Sequence, residues 1–343
     1  MTNEILEFLI KGGVFSVSEI YEYIITKEVT SAVSVKRLLS KLVVQGFLIK
    51  SGKGRSVKYQ ISTLGRLNLE IDIEKYCSIE VDKRVGLRDY NFELFDSLPE
   101  SFFSKEEIKE LDSASKKYHK KILNVSEVIH KKELERFVIE LSWKSSKIEG
   151  NTYTLLDTEK LLKDGIEAKG KTKDEAVMII NHKNAFDFIY KNKNMFKEVS
   201  VSKIEDVHKI LIKDLGVTNN LRSNPVGVLG SKYKPLDNKF QIEESAEKLC
   251  KAISKMADVY SKALFLIIGI SYIQPFEDGN KRTSRLMGNA ILLTYGLAPL
   301  SYRIVDEETY RESVMVFYEL NSIASFKKIF FEQYIFSTEN YLI

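Results

Sequence analysis

The spacing of apolar positions divides the chain into a short mixed module and a long helical part. In residues 1–62, apolar side chains recur at helical spacing in three short runs. A Gly/Ser-rich basic tip at 51–55 then separates two strand-like runs, of which the second alternates from Val57 to Ile61. From about residue 104 the apolar positions follow a helical period almost continuously. The pattern predicts a mainly α protein that is preceded by a small α+β module.

One stripe of the helical part is especially regular. Apolar residues step from Leu134 to Ile148 at helical spacing and stop at Gly150, which predicts a helix over 132–150. The segment 224–240 interrupts the helices with Pro225, Gly230, Pro235 and several β-forming residues. It predicts a β-hairpin flap inserted into a helical domain. Further helices are predicted over 173–191, 202–214, 242–258, 260–273, 280–295 and 307–334.

The first 66 residues resemble a winged helix, because three helices precede a basic hairpin. They hold ten basic and five acidic residues, whereas the whole chain has a net charge of only +4. The resemblance implies DNA binding through the third helix and the hairpin tip. The same module packed against another domain or a partner would explain the pattern equally well. The candidate DNA-facing residues are Lys36, Arg37, Lys41, Lys53, Arg55 and Lys58.

Length and composition limit the remaining possibilities. A chain of 343 residues fits two domains or one with an appendage, and we predict a winged-helix-like domain at 1–66, a connecting region at 67–103 and a helical domain at 104–343. Two cysteines cannot form a disulfide framework. The chain also begins without a signal-peptide pattern, and its apolar segments are too short to span a membrane. We therefore expect a cytoplasmic protein that does not bind membranes.

Residues 275–285 carry the most specific chemistry in the chain. Asp278, Gly279 and Asn280 suit a tight turn, and an apolar run without proline follows. This is the pattern of a loop that enters a helix N-terminus, where free backbone N–H groups attract anions. Arg282 and Arg285 stand three residues apart and so project from the same side of that helix. The segment predicts a polyphosphate-binding site.

The string from Gln274 to Arg285 resembles the signature of the Fic family, H-x-F-x-[D/E]-G-N-[G/K]-R-x-x-R. It matches at every fixed position except the first, where Gln274 replaces the histidine. Ser145 to Gly150 resemble the family's inhibitory motif, [S/T]-x-x-x-E-[G/N], in the class where that motif precedes the active site. The segment 224–240 lies where the family has its flap. The resemblance covers about the last 250 residues and implies a Fic-fold helical bundle.

The resemblance also implies an activity, the transfer of AMP from ATP to a Ser, Thr or Tyr hydroxyl of a protein with Mg²⁺. By motif position, Asp278 would hold Mg²⁺ and Phe276 would anchor the loop in the core. Arg282 would bind the inner phosphates and Arg285 the γ-phosphate. The nucleotide-binding residues would be Gly279, Asn280, Lys281, Arg282 and Arg285, the catalytic positions Gln274, Asn280, Arg282 and Arg285, and the target-binding flap residues Val228, Leu229, Gly230 and Ser231.

Two residues decide how active such a protein would be. Glu149, flanked by Ser145 and Gly150 in the inhibitory motif, would form a bidentate pair with Arg285 and withhold it from ATP. Gln274 occupies the place of the general base, and an amide has no useful basicity near neutral pH. The sequence does not show whether Gln274 is natural or introduced. The four histidines are more simply read as packing or surface residues than as a substitute base: His119, His130, His182 and His208.

Three functions stay open at this point. The first is an adenylyltransferase that Glu149 inhibits and Gln274 slows. The second is a catalytically silent protein that binds ATP or ADP and reports it to a partner. The third is a DNA-binding regulator that acts through the N-terminal module. The target protein is not readable from the sequence, and a homodimer is left open.

Overall fold

The computed structural model describes all 343 residues, whose contacts group them into two compact units. The first unit contains Met1–Pro99, Gly227–Lys234 and Glu312–Phe326. The second unit contains Glu100–Val226, Pro235–Arg311 and Lys327–Ile343. None of the helices combines the length and the apolar character that a membrane crossing requires.

The first unit begins with three helices and a small antiparallel sheet. Strand order in the sheet is β1-β3-β2, and β2 pairs with β3 from Leu48 opposite Ile61 to Ser51 opposite Lys58. The elements are α1 (Thr2–Leu9), β1 (Phe15–Ser16), α2 (Val17–Ile25), α3 (Ala32–Val44), β2 (Leu48–Ser51), β3 (Lys58–Ile61), α4 (Thr63–Leu67) and α5 (Ile73–Cys77).

Local sequence explains most of these boundaries. Ser16 caps α2 in a capping box with Glu19, and Ser31 caps α3 through the amide of Ser34. Strand β1 was not predicted, because two residues carry no periodicity and their pairing depends on the distant β3.

The winged-helix assignment stays a prediction. All six basic residues proposed to face DNA are exposed: Lys36, Arg37, Lys41, Lys53, Arg55 and Lys58.

The second unit is helical. The predicted inhibitory helix begins earlier than expected, at Glu127, because Ser126 caps it. The elements are α6 (Lys105–Ile122), α7 (Glu127–Ile148), α8 (Leu155–Asp164), α9 (Lys173–Lys191), α10 (Val201–Leu211), α11 (Lys239–Lys255), α12 (Val259–Ile273) and α13 (Asn280–Thr294). Helices α14 (Glu307–Leu320) and α15 (Ala324–Asn340) each contain residues of both units.

Helices α12 and α13 form the centre of the second unit. Almost every side chain of α12 is buried, including all those from Ala263 to Ile268. The two helices approach closely at Gly288, where an added Cβ would lie 2.4 Å from Cγ1 of Ile267. Because this packing fixes both helices, it also fixes the loop that joins them. That loop is the segment in which the sequence predicts phosphate binding.

Two segments differ from the prediction. The single helix expected over 307–334 is broken at 321–323, where Asn321 adopts the left-handed conformation with φ 56°. The predicted flap at 224–240 contains no strand pair of its own, and its last residues already belong to α11. Lys234 makes a single parallel bridge with Asp89. Pro225 and Pro235 lack the N–H that a hairpin ladder needs.

Candidate nucleotide site

The loop between α12 and α13 has two residues with positive φ. Gln274 ends α12 in the left-handed conformation, with φ 51° and ψ 58°. Gly279 precedes α13 with φ 78°. A Cβ on Gly279 would lie 3.2 Å from Cγ2 of Ile212 and 3.3 Å from Cε1 of His208. Glycine is therefore required here both for its backbone conformation and for space.

Asn280 ties this loop together. Its Oδ1 accepts from the Phe276 amide at 2.9 Å, and its Nδ2 donates to the Phe276 carbonyl at 2.8 Å. The same Nδ2 donates to Oε1 of Gln274 at 3.0 Å, while Nε2 of Gln274 donates to the Ser271 carbonyl at 2.7 Å. Both ends of the Gln274 amide are thus oriented by hydrogen bonds, and its oxygen faces Asn280.

His208 packs against the loop between α12 and α13. Its ring stacks on Phe276, which is fully buried, with 3.6 Å between ring centroids and 6° between ring planes. Nδ1 of His208 lies 3.2 Å from Oγ1 of Thr283. Burial, and then the charge of Arg282, lower the pKa of His208 to about 4. The ring is therefore neutral at physiological pH and serves as packing, as the sequence predicted.

Arg282 is a buried cation with one free donor. Its Nη2 donates to Oδ2 of Asp278 at 2.9 Å, whereas its Nη1 is buried without a hydrogen-bond partner. The guanidinium is 2% exposed, and this burial lowers the pKa of Arg282. A buried guanidinium with an unsatisfied nitrogen is costly unless an anion binds it. This donor fits an incoming phosphate.

Arg285 is hydrogen-bonded to Ser145 and Glu149. Nε donates to Oγ of Ser145 at 2.9 Å, Nη2 to the Ser145 carbonyl at 2.8 Å, and Nη1 to Oε1 of Glu149 at 2.8 Å. The guanidinium also lies 5.4 Å from the centre of the Tyr310 ring. Burial alone would lower the pKa of Arg285, but Glu149 raises it above its ordinary value. Every nitrogen of this side chain already has an acceptor.

Glu149 bridges two cations instead of making the bidentate pair that was expected. Its second oxygen, Oε2, accepts from Nζ of Lys281 at 3.3 Å. Burial alone would raise the pKa of Glu149, but Arg285 and then Lys281 hold it below its ordinary value. The residue ends α7, and Gly150 follows with φ 96°. The Glu149 carboxylate is therefore charged and anchored between the two basic side chains.

The predicted site residues are divided between the two units. Gln274 to Arg285 and Ser145 to Gly150 all belong to the second unit, whereas the four flap residues belong to the first. In the first unit, Oγ of Ser231 donates to the buried Glu319 at 2.6 Å, and the neighbouring Leu229 is fully exposed. The flap residues concerned are Val228, Leu229, Gly230 and Ser231.

Two residues that contact the site, Arg222 and Tyr310, were not predicted from the sequence. A third, His182, was predicted only as a packing or surface residue. Arg222 donates to the Gln274 carbonyl, and Tyr310 lies beside Arg285. Neither lies in a motif, and no periodic signal could have identified them. His182 is fully buried with both ring nitrogens unpartnered, and burial, then Arg285 and Arg282, lower its pKa well below the ordinary value. Its ring is therefore uncharged at neutral pH.

Comparison with known proteins agrees with this geometry. The model of the Fic/DOC family matches residues 198–292, which include the whole loop and its two arginines. This segment of the chain is similar to the Fic/DOC family. A protein adenylyltransferase Fic from Nematostella vectensis is 29% identical to the chain over 179 residues, which cover 49% of this chain and 40% of that protein. Adenylyltransferase fic-1 from Caenorhabditis elegans is 24% identical over 176 residues, which cover 49% and 34%.

Solved structures show the Fic fold. Fic-1 from C. elegans has a TM-score of 0.60 at 20% identity and covers 69% of this chain and 72% of that one. A Fic-domain signalling protein from Bacteroides thetaiotaomicron has a TM-score of 0.55 at 22% identity and covers 68% and 95%. The chain spans less than half the length of the two curated Fic relatives described above.

Proposed function

We propose that this Fic protein transfers AMP from ATP to a protein hydroxyl, that Glu149 inhibits it, and that Gln274 slows the transfer. The observation that carries the proposal is the bond network of Arg285. This arginine matches the family position for the γ-phosphate, yet Ser145 and Glu149 occupy all its nitrogens. A phosphate-binding residue held by a carboxylate from a separate motif is the arrangement expected of an inhibited enzyme.

The nucleotide would bind at the N-terminus of α13. The amides of the loop and first turn attract phosphate oxygens, and the free Nη1 of Arg282 adds a charge-assisted donor. The site residues fit this role by type and position: Gly279, Asn280, Lys281, Arg282 and Arg285. No cluster of three acidic, His or Cys side chains could hold a metal alone. Asp278, whose side chain is 63% exposed, fits Mg²⁺ that also takes oxygens from the nucleotide phosphates.

Gln274 determines the rate of the proposed transfer. The residue lies where the family has its general base, and its amide oxygen already accepts from Asn280. An amide can orient a hydroxyl by hydrogen bonding but cannot take its proton. Loss of a positioned base costs ~10²–10⁴-fold in rate. Positioning and electrostatic stabilisation by the arginines remain, so the transfer is slow but not excluded.

Release of Glu149 would activate the site. With the carboxylate removed, Nη1 of Arg285 becomes available to the γ-phosphate, while Ser145 still orients the other two nitrogens. Lys281 is freed as well. The inhibition therefore acts on the orientation of the triphosphate and leaves the loop intact.

The proposal is tested by incubating the Glu149→Gly variant with ATP labelled on the α-phosphorus and a cell lysate. We expect slow labelling of protein by this variant and less by the unmodified chain. Glu149→Gln is the matched control, because it removes the charge but keeps the side-chain volume. Failure of both Glu149→Gly and Glu149→Gly/Gln274→His to label any protein would refute adenylyl transfer.

A second function, nucleotide binding without transfer, is favoured by the side-chain amide of Gln274, because hydrogen bonds hold both its nitrogen and its oxygen. A protein that binds the nucleotide without transferring AMP would need only this hydrogen-bonded amide at residue 274. Labelling by Glu149→Gly/Gln274→His together with silence of Glu149→Gly would favour that function. Three further calls stay predictions: DNA binding by the N-terminal module, a homodimer and a cytoplasmic location.

A further inference from the structure

A buried arginine outside both motifs holds the loop at the catalytic position. Arg222 is 1% exposed and lies between α10 and the segment 224–240. Its Nε donates to the Gln274 carbonyl at 2.6 Å, and its backbone N–H donates to the Pro275 carbonyl at 3.0 Å. Two consecutive carbonyls of the loop are therefore fixed by one residue.

The backbone at Gln274 needs such support. Its φ of 51° is in the left-handed region, which residues other than glycine adopt rarely. The residue also precedes Pro275, and pre-proline residues favour extended conformations. The backbone N–H of Gln274 donates to the Ile270 carbonyl at 3.1 Å, and the backbone carbonyl of Gln274 accepts from Arg222. Removing the guanidinium would remove one of the two backbone hydrogen bonds that hold Gln274 in this unfavourable conformation.

The same guanidinium joins the loop to both ends of the inserted segment. Nη1 donates to the Asn224 carbonyl at 2.7 Å, and Nη2 donates to the Leu236 carbonyl. These two carbonyls lie on opposite sides of the segment that the Fic resemblance assigns to target positioning. Arg222 thereby links the base of that segment to residue 274 through direct hydrogen bonds.

We propose that Arg222 is a positioning residue for transfer. It holds the backbone of residue 274 in its conformation and keeps the ends of the 224–240 segment in place beside that residue. This inference rests on the proposed function. Arg222 donates to protein carbonyls and has no assigned phosphate role, so its removal should affect transfer more than nucleotide binding. Lysine keeps the charge but cannot donate to three separated carbonyls at once, so it should replace arginine only in part.

The test has a kinetic arm. In the Glu149→Gly/Gln274→His background, Arg222→Gln should lower the rate of lysate labelling by α-labelled ATP at least tenfold. The calorimetric Kd for ATP should change less than twofold, and Arg222→Lys should fall between parent and Arg222→Gln. Leu249→Ala, which opens a cavity in the core beside Gly269, controls for lost stability. At an equal decrease in Tm it should keep the labelling rate.

A structural arm decides the matter independently of activity. A crystal structure of Arg222→Gln with Gln274 retained should show residue 274 outside the left-handed region. Hydrogen exchange should rise in peptides 222–226 and 274–280 but not in 145–150. Labelling within twofold of the parent, or ATP binding lost in parallel with labelling, would overturn the inference. So would an unchanged backbone at residue 274. A parent that labels nothing would refute the proposed function and leave the structural arm to decide on Arg222.

Discussion

The two ends of the motif loop have different chemistry. At the α13 end, Gly279, Arg282 and Arg285 retain what an anion site needs: a tight turn, free amides and buried guanidinium groups. At the α12 end, Gln274 offers hydrogen bonds without basicity. The proposed function therefore separates nucleotide binding from proton transfer in this fold. One depends on a helix terminus and the other on a single side chain.

The largest effect should come from restoring a base at the α12 end. In the Glu149→Gly background, Gln274→His should raise the labelling rate by ~10²–10⁴-fold, because a positioned base accelerates attack by the hydroxyl to this extent. Initial rates with α-labelled ATP measure the gain. Gln274→Ala removes the amide without adding a base and should give no increase. An equal increase in both variants would show that Gln274 acts as an obstruction.

At the α13 end, the corresponding change should affect binding. In the Glu149→Gly background, Arg285→Ala should weaken ATP binding by ~10–100-fold, since hydrogen bonds to charged groups contribute about 1.5–3 kcal/mol. Calorimetry measures the change. Arg303→Ala is the control, because Arg303 is partly exposed and bonds Glu140 instead. If Arg285→Ala bound ATP as tightly as its parent, the assignment of the γ-phosphate would be wrong.

Labelling against pH distinguishes the two ends further. In the Glu149→Gly background, Gln274→His should gain ~10-fold between pH 5.5 and 7.5, with a midpoint near the ordinary histidine pKa of ~6.5. Labelling by the Gln274 protein should stay constant over this range, because an amide does not titrate and the pKa of His208 is about 4. A matching rise in the Gln274 protein would indicate a base elsewhere in the site.

Inhibition by Glu149 should also be independent of pH in this range. Burial opposes its ionisation, but Arg285 and Lys281 lower its pKa below the ordinary value. A carboxylate of this kind contributes stability above its ordinary pKa and loses it as the pH falls through the lowered value. The ratio of Glu149→Gly to unmodified labelling should therefore be constant from pH 5.5 to 8. A ratio that falls towards pH 5.5 would mean that Glu149 is protonated there.

Among the substitutions, the smallest effect should come from Lys281. It contacts Glu149 at 3.3 Å and is partly exposed, and such ion pairs contribute only ~0–1 kcal/mol. Lys281→Ala should therefore relieve inhibition about two- to fivefold at most. Labelling rates at saturating ATP test this, and Lys147→Ala, whose lysine pairs with Glu307, is the control. Relief as large as that of Glu149→Gly would move the centre of inhibition from Arg285 to Lys281.

The sequence predicted the parts of this site that depend on local pattern. The loop, the helix starts and the two arginines follow from turn residues and periodicity, and the match of Ser145 to Gly150 indicated that Glu149 lies near Arg285. The sharing of Glu149 between Arg285 and Lys281 depends on how α7 and α13 pack, which spacing does not encode. Of the three carbonyls that the Arg222 side chain joins, those of Gln274 and Leu236 are also distant from it in sequence. The flap prediction differed because two prolines remove ladder donors.

Calorimetry with ATP and ADP tests the central claim most directly, because the two nucleotides differ only in the γ-phosphate that Glu149 is proposed to exclude from Arg285. The unmodified chain should bind both with similar Kd in Mg²⁺. Glu149→Gly should bind ATP about tenfold more tightly than ADP, since one charge-assisted contact is restored. Equal affinity gains for ATP and ADP, or no heat with either nucleotide in either protein, would contradict the account.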